Sequence, residues 1–213
     1  MSLLDVPVLI TAFTTLFVII DPIGLLPLFV ALTQGMTAAQ RRTIALRASL
    51  LAVGVLLLFG LLGEAVLSFV GISMPAFRIA GGVLLFLTAL DMLFERRTKR
   101  REDQAEEEED RPDPSVFPLA VPLMAGPGAI ASMILLTGQT EGDFAMTAAT
   151  FGVMIAVIGI AFVLFLAGTP LERAMGKTGI NVVTRLLGML LAALAVQFIL
   201  DGLADFGFVS GPL

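Results

Sequence analysis

The most constraining feature of this sequence is an apolar run over residues 6–32 that contains one ionisable residue, Asp21. A helix needs about 20 residues to cross a hydrocarbon core of about 30 Å, so this run is long enough to span a membrane. Asp21 falls near its midpoint, where an ionised side chain costs roughly 3 kcal/mol and is tolerated mainly in a bundle interior or a wet cavity. The run therefore predicts a membrane span with an acidic group at half depth.

Proline interrupts the same run directly after Asp21. Pro22 has no amide hydrogen, so it removes a helical hydrogen bond and breaks or kinks the helix. A second interruption, at Gly126, Pro127 and Gly128, lies in a later apolar run. Non-helical backbone at membrane depth is tolerated only where protein or water satisfies it. Two interrupted spans in corresponding places are typical of a transporter with a site at the bilayer midplane.

The composition is that of an integral membrane protein. Hydrophobic residues make up 57% of the 213, and the mean hydropathy is +0.98, whereas soluble domains are usually just under half apolar. Cysteine and histidine are absent. Disulfides, thiolate or imidazole catalysis and the common zinc sites are thereby excluded, and only oxygen ligands remain for a cation. We expect no metal site and no cofactor other than a coupling H⁺ or Na⁺, and no nucleic-acid partner, since there is no basic stripe.

Six apolar segments are long enough to cross a membrane as helices. They cover residues 6–32, 48–70, 74–94, 116–136, 144–171 and 182–200. Cytoplasmic connections carry the excess of Lys and Arg, and of the 13 basic residues every one except Arg78 falls on one side. This pattern predicts a multi-pass protein of the cell inner membrane with both termini outside.

A charged connection divides the chain. Residues 95–115 are dense in acidic and basic side chains and poor in hydrophobic ones, which predicts a disordered cytoplasmic loop. A regulatory arm that binds lipid headgroups is the alternative. The loop separates an N-terminal three-helix half, residues 1–94, from a C-terminal one, residues 116–213.

The two halves are interpreted as repeats. Pro22 pairs with Pro127, and Gly63 with Gly168, at one common offset. Three spans in each half mean that the second half enters the membrane the opposite way up, so the repeats are related by an axis in the membrane plane. The predicted fold class is an all-α membrane protein with six transmembrane helices in two inverted three-helix repeats, of which helices 1 and 4 are broken.

The residues at the two interruptions suit a dipolar ligand. The candidate substrate-binding residues are Asp21, Pro22, Gly24, Gly126, Pro127 and Gly128. Asp-Pro is a helix-start signal, and Gly-Pro can serve the same purpose, so each interruption can begin a half-helix whose positive end points into the midplane. Two such ends hold a carboxylate, while Asp21 faces an ammonium group, a coupling proton or a cation. A structural cap at Asp21 and close helix packing through the glycines are the alternatives.

Four charged residues near the span ends are gating or ion-pair candidates. Arg78 and Arg185 lie just inside spans 3 and 6, where snorkelling to headgroups is the simplest interpretation. Glu64 could pair with Arg78, and Asp91 with Arg185. Breaking one pair is expected to favour opening to that side.

Three blocks of this sequence resemble the MarC family of six-span bacterial inner-membrane proteins. The blocks are Asp21-Pro22-Ile23-Gly24 with Pro27, then Ala76-Phe77-Arg78-Ile79-Ala80-Gly81-Gly82 with Leu90-Asp91, and Pro122-Leu123 with Gly126-Pro127-Gly128. The resemblance covers almost the whole chain apart from the charged loop and the last few residues. It implies transport of small neutral amino acids such as alanine or glycine.

The sequence thus predicts a secondary transporter, an exporter or an importer, of small neutral amino acids in the lipid bilayer. No Walker-type phosphate loop is present, so ATP is not expected to drive this chain directly. The alternative is a non-transporting membrane scaffold or stress-linked accessory subunit that binds a partner through the charged loop. An enzyme is not expected, because no paired carboxylates at catalytic spacing are present. A homo-oligomer fits either function.

Overall fold

A computed structural model describes residues 5–94, 113–140 and 142–207, and within these ranges all regular structure is helical. The helices are α1 (Val6–Ile20), α2 (Leu26–Leu32), α3 (Ala38–Val70), α4 (Met74–Leu93), α5 (Ser115–Met124), α6 (Pro127–Gly138), α7 (Phe144–Leu166) and α8 (Gly168–Asp205). Residues 95–112 of the predicted charged loop lie outside the described residues. The all-helical prediction is confirmed for the part of the chain described.

Several helices are long and apolar enough to cross a membrane. Four single helices meet this requirement: Ala38–Val70, Met74–Leu93, Phe144–Leu166 and Thr178–Asp205. α5 and α6 meet it when they are taken together, as a fifth candidate span that is bent by 54°. α1 is also apolar but has 15 residues, which is short for a complete crossing. The described ranges therefore contain four candidate spans, or five with the bent pair.

Polar side chains cap three of the long helices. The Thr37 hydroxyl accepts from the Gln40 amide while the Gln40 side chain accepts from the Thr37 amide, which is a capping box at the start of α3. Ser73 caps α4, and Asp143 caps α7. Each cap satisfies an amide that the helix leaves without a partner.

One end of the bundle gathers the starts of α1, α4 and α7 with the end of α6. The Asp5 amide donates to Met146 Sδ at 3.2 Å, which joins the starts of α1 and α7. A side chain added at Gly138 would meet Met74 Cε at 2.8 Å, so the end of α6 touches the start of α4. We call this the Asp5 end. Since α1 starts there and α6 finishes there, these two helices run antiparallel.

The opposite end gathers α2, the start of α3 and the start of α5. Arg47 Nη1 lies 2.9 Å from Asp113 Oδ2, which links α3 to the residues just before α5. The Phe29 and Phe165 rings stack with centroids 4.5 Å apart, which places α2 against the last turn of α7. We call this the Thr37 end.

Small residues let α4 and α8 pack closely along their length. A Cβ added at Gly82 would lie 2.8 Å from the Ala195 carbonyl oxygen, and one at Gly202 would lie 3.0 Å from the Pro75 carbonyl oxygen. The backbones themselves are therefore in contact. Close approach through glycine is common in membrane bundles, where dispersion and not water exclusion drives helix association.

Proline shapes α5. Its hydrogen bonds follow a π-helical pattern, as from the Ala125 amide to the Ala120 carbonyl at 2.8 Å. Phe117 and Val121 have extended backbone within the segment, and each precedes a proline, whose ring disfavours helical geometry in the residue before it. The result is an irregular segment leading to the second interruption.

Candidate functional site

Asp21 ends α1 and begins the turn to α2. Its amide donates to the Phe17 carbonyl at 3.0 Å, and its φ of 53° lies in the left-handed region, which Asp tolerates better than most residues. Its Oδ1 accepts from the Gly24 amide at 3.0 Å, and its carbonyl oxygen accepts from the Leu25 amide at 3.0 Å. Asp21 is 0% exposed. The carboxylate is thus held over a turn inside the protein.

The prediction that Asp21 is the N-cap of the second half-helix is wrong, because that helix begins several residues later. α2 begins at Leu26, and Leu25 is its N-cap. A left-handed Asp21 closes α1, and residues 22–25 form a turn before helical geometry resumes. The carboxylate nevertheless accepts from the amide three residues on, which is the hydrogen bond that an N-cap side chain makes.

Gly24 gives the Asp21 carboxylate its space. A Cβ added at Gly24 would overlap Asp21 Oδ2 and lie 2.7 Å from its Cγ. Any other residue at this position would have to displace the carboxylate or open the turn. Gly24 is therefore a positioning residue for Asp21. Pro22, buried between them in the turn, removes the amide that would otherwise continue α1.

The second interruption is a clean helix start. Gly126 is the N-cap of α6, Pro127 is its first residue, and no side chain among the described residues caps the first turn. This agrees with the sequence prediction for Gly126 and Pro127. Gly126 and Gly128 are buried, whereas Pro127 is exposed. The first amides of α6 therefore lie inside the bundle, where a helix N-terminus favours negative charge.

The two interruptions touch each other. A Cβ added at Gly128 would lie 2.8 Å from Ile19 Cδ1 and 3.6 Å from Leu85 Cδ2. Gly128 is in the first turn of α6, and Ile19 is two residues before Asp21. The absence of a side chain at Gly128 lets the start of α6 pack on the end of α1. The six candidate substrate-binding residues fall into two groups, one at each interruption. The contact between Gly128 and Ile19 brings the two interruptions together.

The charged residues near the span ends lie away from Asp21. Arg78 Nη1 is 2.6 Å from Asp205 Oδ2 at the Asp5 end, with the side chains 14% and 44% exposed. Sequence reasoning missed Asp205, which lies beyond the last predicted span. Arg185 and Glu64 are exposed, and Asp91 is half-buried. The predicted pairs of Glu64 with Arg78 and of Asp91 with Arg185 stay predictions.

Sequence reasoning also missed two buried hydroxyls on the helices that meet at the interruptions. Thr15 in α1 and Ser132 in α6 are both 0% exposed. Neither hydroxyl has a hydrogen-bond partner in the part of the chain described. Ser and Thr in apolar helices usually bond to the carbonyl one turn back, so sequence alone gives no signal that these two do not.

Comparison with known proteins gives the family. The family described as MarC family integral membrane protein matches residues 6–206. A UPF0056 membrane protein of Archaeoglobus fulgidus is 39% identical over 195 residues, which is 91% of this chain and 91% of that protein. The UPF0056 membrane protein YhcE of Escherichia coli is 37% identical over 204 residues, 93% of each chain. The UPF0056 membrane protein YvbG of Bacillus subtilis is 35% identical over 198 residues, 92% of this chain and 93% of its own.

No solved structure matches this chain. The names of the relatives state a membrane location and no substrate. The family match covers all the described helices, and the relatives align over most of their own length. This chain therefore belongs to the MarC family of integral membrane proteins.

Proposed function

We propose that this protein is a secondary transporter that carries small neutral amino acids across the cell inner membrane by alternating access. The observation that carries the proposal is the position of Asp21: it is 0% exposed, at a helix break, inside an apolar bundle. A Ser or Asn side chain could make the same hydrogen bond to the Gly24 amide without the burial cost of an ionisable group. A carboxylate kept at this depth therefore favours a functional role.

The chemistry around Asp21 suits a zwitterion. An ammonium group can bind the carboxylate, and the first amides of α6, next to Gly128, can bind a substrate carboxylate at the positive end of the helix. Ile19 and Leu85 approach Gly128 closely. A substrate that enters beside the start of α6 when the site opens would meet these apolar side chains, which favours a small apolar substrate side chain.

The helix order supports two inverted repeats. At the offset of 105 residues that separates Pro22 from Pro127, α2 corresponds to α6, and the long α3 corresponds to α7 with the start of α8. On this assignment α1 and α2 together make the sixth crossing, broken at Asp21 as α5 and α6 are broken at Gly126. The antiparallel course of α1 and α6 is what an in-plane axis requires.

The excess of basic residues at the Thr37 end supports an orientation with both termini outside. The chain has no native cysteine, so single cysteines report sidedness directly. An impermeant maleimide added to intact cells should label the Phe144→Cys variant at the Asp5 end and leave Ala39→Cys at the Thr37 end unlabelled. The reverse pattern would invert the orientation without affecting the transport proposal.

Transport requires the site to open, since Asp21 is closed off from both ends in this conformation. The irregular backbone at Phe117 and Val121 and the left-handed Gly176 within α8 are places where helices can bend.

The Asp21 carboxylate is also the group through which H⁺ or Na⁺ could couple to the substrate, because the predicted spans have no other acidic side chain at their midpoints.

Uptake of labelled alanine and glycine into proteoliposomes tests the proposal. The Asp21→Asn variant keeps the size and the acceptor oxygen of the side chain, and we expect it to lose at least about tenfold in uptake, because a charged hydrogen bond to the ammonium is lost. Asp5→Asn is the matched control: Asp5 precedes the same helix, is exposed and makes no side-chain cap. Equal uptake by Asp21→Asn and wild type would remove Asp21 from the mechanism, and no uptake by wild type would refute the proposal.

A further inference from the structure

The membrane-spanning part of α8 has two opposite faces. One face packs on α4: the Ala195 carbonyl oxygen lies 2.8 Å from a Cβ added at Gly82. Ala193 is two residues away, about 200° around the helix, and is exposed. The side chains on its face recur at alternating spacings of four and three residues, the pattern with which two helices pack in a left-handed supercoil. We call this set the outward seam: Leu186, Leu190, Ala193, Gln197, Leu200 and Ala204.

The outward seam is apolar except at Gln197. Leu186 and Leu190 are 57% and 52% exposed, and Ala193 and Gln197 are exposed as well. The span Thr178–Asp205 has its midpoint between Leu191 and Ala192. Gln197 therefore lies about 8 Å from the midpoint along the axis, within a hydrocarbon core whose half-thickness is about 15 Å. An amide thus points away from its own bundle at a depth where lipid offers it no hydrogen bond.

The helix itself satisfies only part of the Gln197 side chain. Its Nε2 donates to Asp201 Oδ1 at 2.7 Å, which is the hydrogen bond that this side chain makes within the described ranges. An ionised carboxylate accepts and does not donate, so Asp201 can serve one N–H of the amide and cannot serve its oxygen. The amide oxygen and the second N–H still require a partner. An apolar face alone could be covered by lipid, whereas this amide requires protein.

The group that complements a primary amide best at this place is a second copy of the same amide. A twofold axis along the membrane normal brings identical surfaces of two copies together and makes their α8 helices parallel. In a parallel seam each residue meets its own counterpart at the same level. Two Gln197 amides can then exchange two N–H···O bonds, and the small Ala193 one turn away allows the helices to approach closely.

From this arrangement we infer that the protein is a homodimer in which the outward seams of two α8 helices pack in parallel, with the Gln197 amides hydrogen-bonded to each other across the twofold axis. A single polar residue in an otherwise apolar seam fixes the register and the number of helices. The inference concerns assembly and does not depend on the proposed transport function.

Cysteine cross-linking in proteoliposomes tests which surfaces meet. The chain has no native cysteine, so a disulfide-linked dimer reports the introduced position alone. Ala193→Cys should cross-link under mild oxidation, because the two copies of this residue face each other beside the axis. Ile155→Cys is the matched control: Ile155 is 51% exposed at the middle of α7, and it should stay monomeric. Cross-linking of Ile155→Cys but not of Ala193→Cys would refute the seam.

Energy transfer between labelled copies tests the role of the amide. Donor and acceptor dyes are attached through Phe144→Cys, which is 89% exposed, and transfer is measured as the protein-to-lipid ratio is varied. Gln197→Leu should require a ratio about tenfold higher for half-maximal transfer, because a pair of hydrogen bonds within lipid is lost. Gln197→Asn keeps an amide and should associate more strongly than Gln197→Leu. Gln139→Leu, which replaces an exposed glutamine at the end of α6, should associate as wild type does.

Each outcome decides the inference. Since Gln197 is exposed, its replacement should leave thermal unfolding in detergent unchanged, which separates weaker association from a folding defect. If wild type shows no transfer at any ratio, if Gln197→Leu associates as wild type does, or if Gln197→Asn is weakened as much as Gln197→Leu, the paired amides are refuted. Uptake of amino acids enters none of these measurements, so the proposed transport function stands or fails separately.

Discussion

At the scale of single residues, Asp21 depends on the absence of a side chain at Gly24. The Gly24→Ala variant would place a methyl group against the Asp21 carboxylate, at 2.7 Å from Cγ, so the carboxylate must move or the turn must open. We expect uptake of neutral amino acids to fall about as far as in Asp21→Asn, at least about tenfold, since the charge would no longer be held in place. The measurement is initial uptake in proteoliposomes.

Gly54→Ala is the control for this prediction. Gly54 is an exposed helix residue with no other atom within 4 Å of an added Cβ, and alanine is a better helix former than glycine. This variant should transport as wild type does. Normal transport by Gly24→Ala would show that the position of the Asp21 carboxylate does not matter for function.

Asp113 is the residue whose titration should affect stability. The pKa of the Asp113 carboxyl lies below the ordinary value of 3.8. The largest cause is the Ser115 hydroxyl, which favours the ionised carboxylate although it is not aligned for a regular hydrogen bond. The Ser115 amide, which donates to the carboxylate at 3.0 Å, and the positive charge of Arg47 lower the pKa further. Burial opposes the lowering. A lowered pKa means that the folded protein gains stability above about pH 4 and loses it as the pH falls through the folded-state value.

The effect of Asp113 is measured by thermal unfolding of the purified protein between pH 7 and pH 3. The Asp113→Asn variant should be less stable than wild type at pH 7, and the difference should shrink as the pH falls. The side chains of Arg47 and Asp113 are 62% and 40% exposed, so solvent screening limits the difference to about 1 kcal/mol or less. A difference that grows on acidification would contradict the sign.

At the scale of helices, the contact between α4 and α8 has no room for added atoms. A Cβ at Gly82 would lie 2.8 Å from the Ala195 carbonyl oxygen and 3.1 Å from the Ile199 amide nitrogen, and backbone cannot move aside as a flexible side chain can. We expect Gly82→Ala to destabilise the folded protein by about 1–3 kcal/mol, the usual cost of overpacking. Thermal unfolding in detergent measures it.

Gly152→Ala in α7 is the matched substitution, because Gly152 is exposed and has open space around it. It should be neutral or slightly stabilising. If Gly82→Ala were as stable as Gly152→Ala, then α4 and α8 would be free to separate, and the close backbone contact would not hold the bundle together.

The sequence predicted some elements well and others poorly, for physical reasons. The start of α6 at Pro127 follows from local rules, since Gly-Pro before an apolar stretch determines an N-terminus. The start of α2 was missed because the left-handed Asp21 adds a turn before the helix resumes. The π-helical course of α5 was missed because hydropathy does not distinguish an irregular apolar segment from a regular helix.

The candidate site divides in the same way. Asp21 and the glycines of the two interruptions stand out because they are unusual in apolar runs. The contact between Gly128 and Ile19 and the unpaired hydroxyls of Thr15 and Ser132 depend on how distant helices pack. A hydroxyl in an apolar helix is ordinary by composition, and only the tertiary structure shows whether its helix satisfies it.

At the scale of the whole molecule, the 57% share of hydrophobic residues was enough to predict an integral membrane protein, and the structure agrees in exposing many large hydrophobic side chains, which soluble proteins rarely do. Phe69 and Phe144, for example, are 92% and 89% exposed, which lipid tolerates and water does not. The ion pair between Arg78 and Asp205 was not predicted, since Asp205 follows the last apolar segment and its approach to Arg78 depends on the antiparallel packing of α4 and α8.

That ion pair should hold the Asp5 end closed. It joins the first turns of α4 to the last turn of α8, and Asp205 is partly exposed, so the pair is worth about 0.5–1 kcal/mol. Removing it with Asp205→Asn should raise the population open at this end about two- to fivefold. The probe is a single cysteine in place of buried Thr15, whose rate of reaction with a maleimide in purified protein reports how often that end opens. Asp201→Asn is the control, because Asp201 accepts from Gln197 within α8 and forms no ion pair to a second helix within the described ranges. An equal labelling rate in both backgrounds would mean that the Arg78–Asp205 pair is a surface contact without a part in gating.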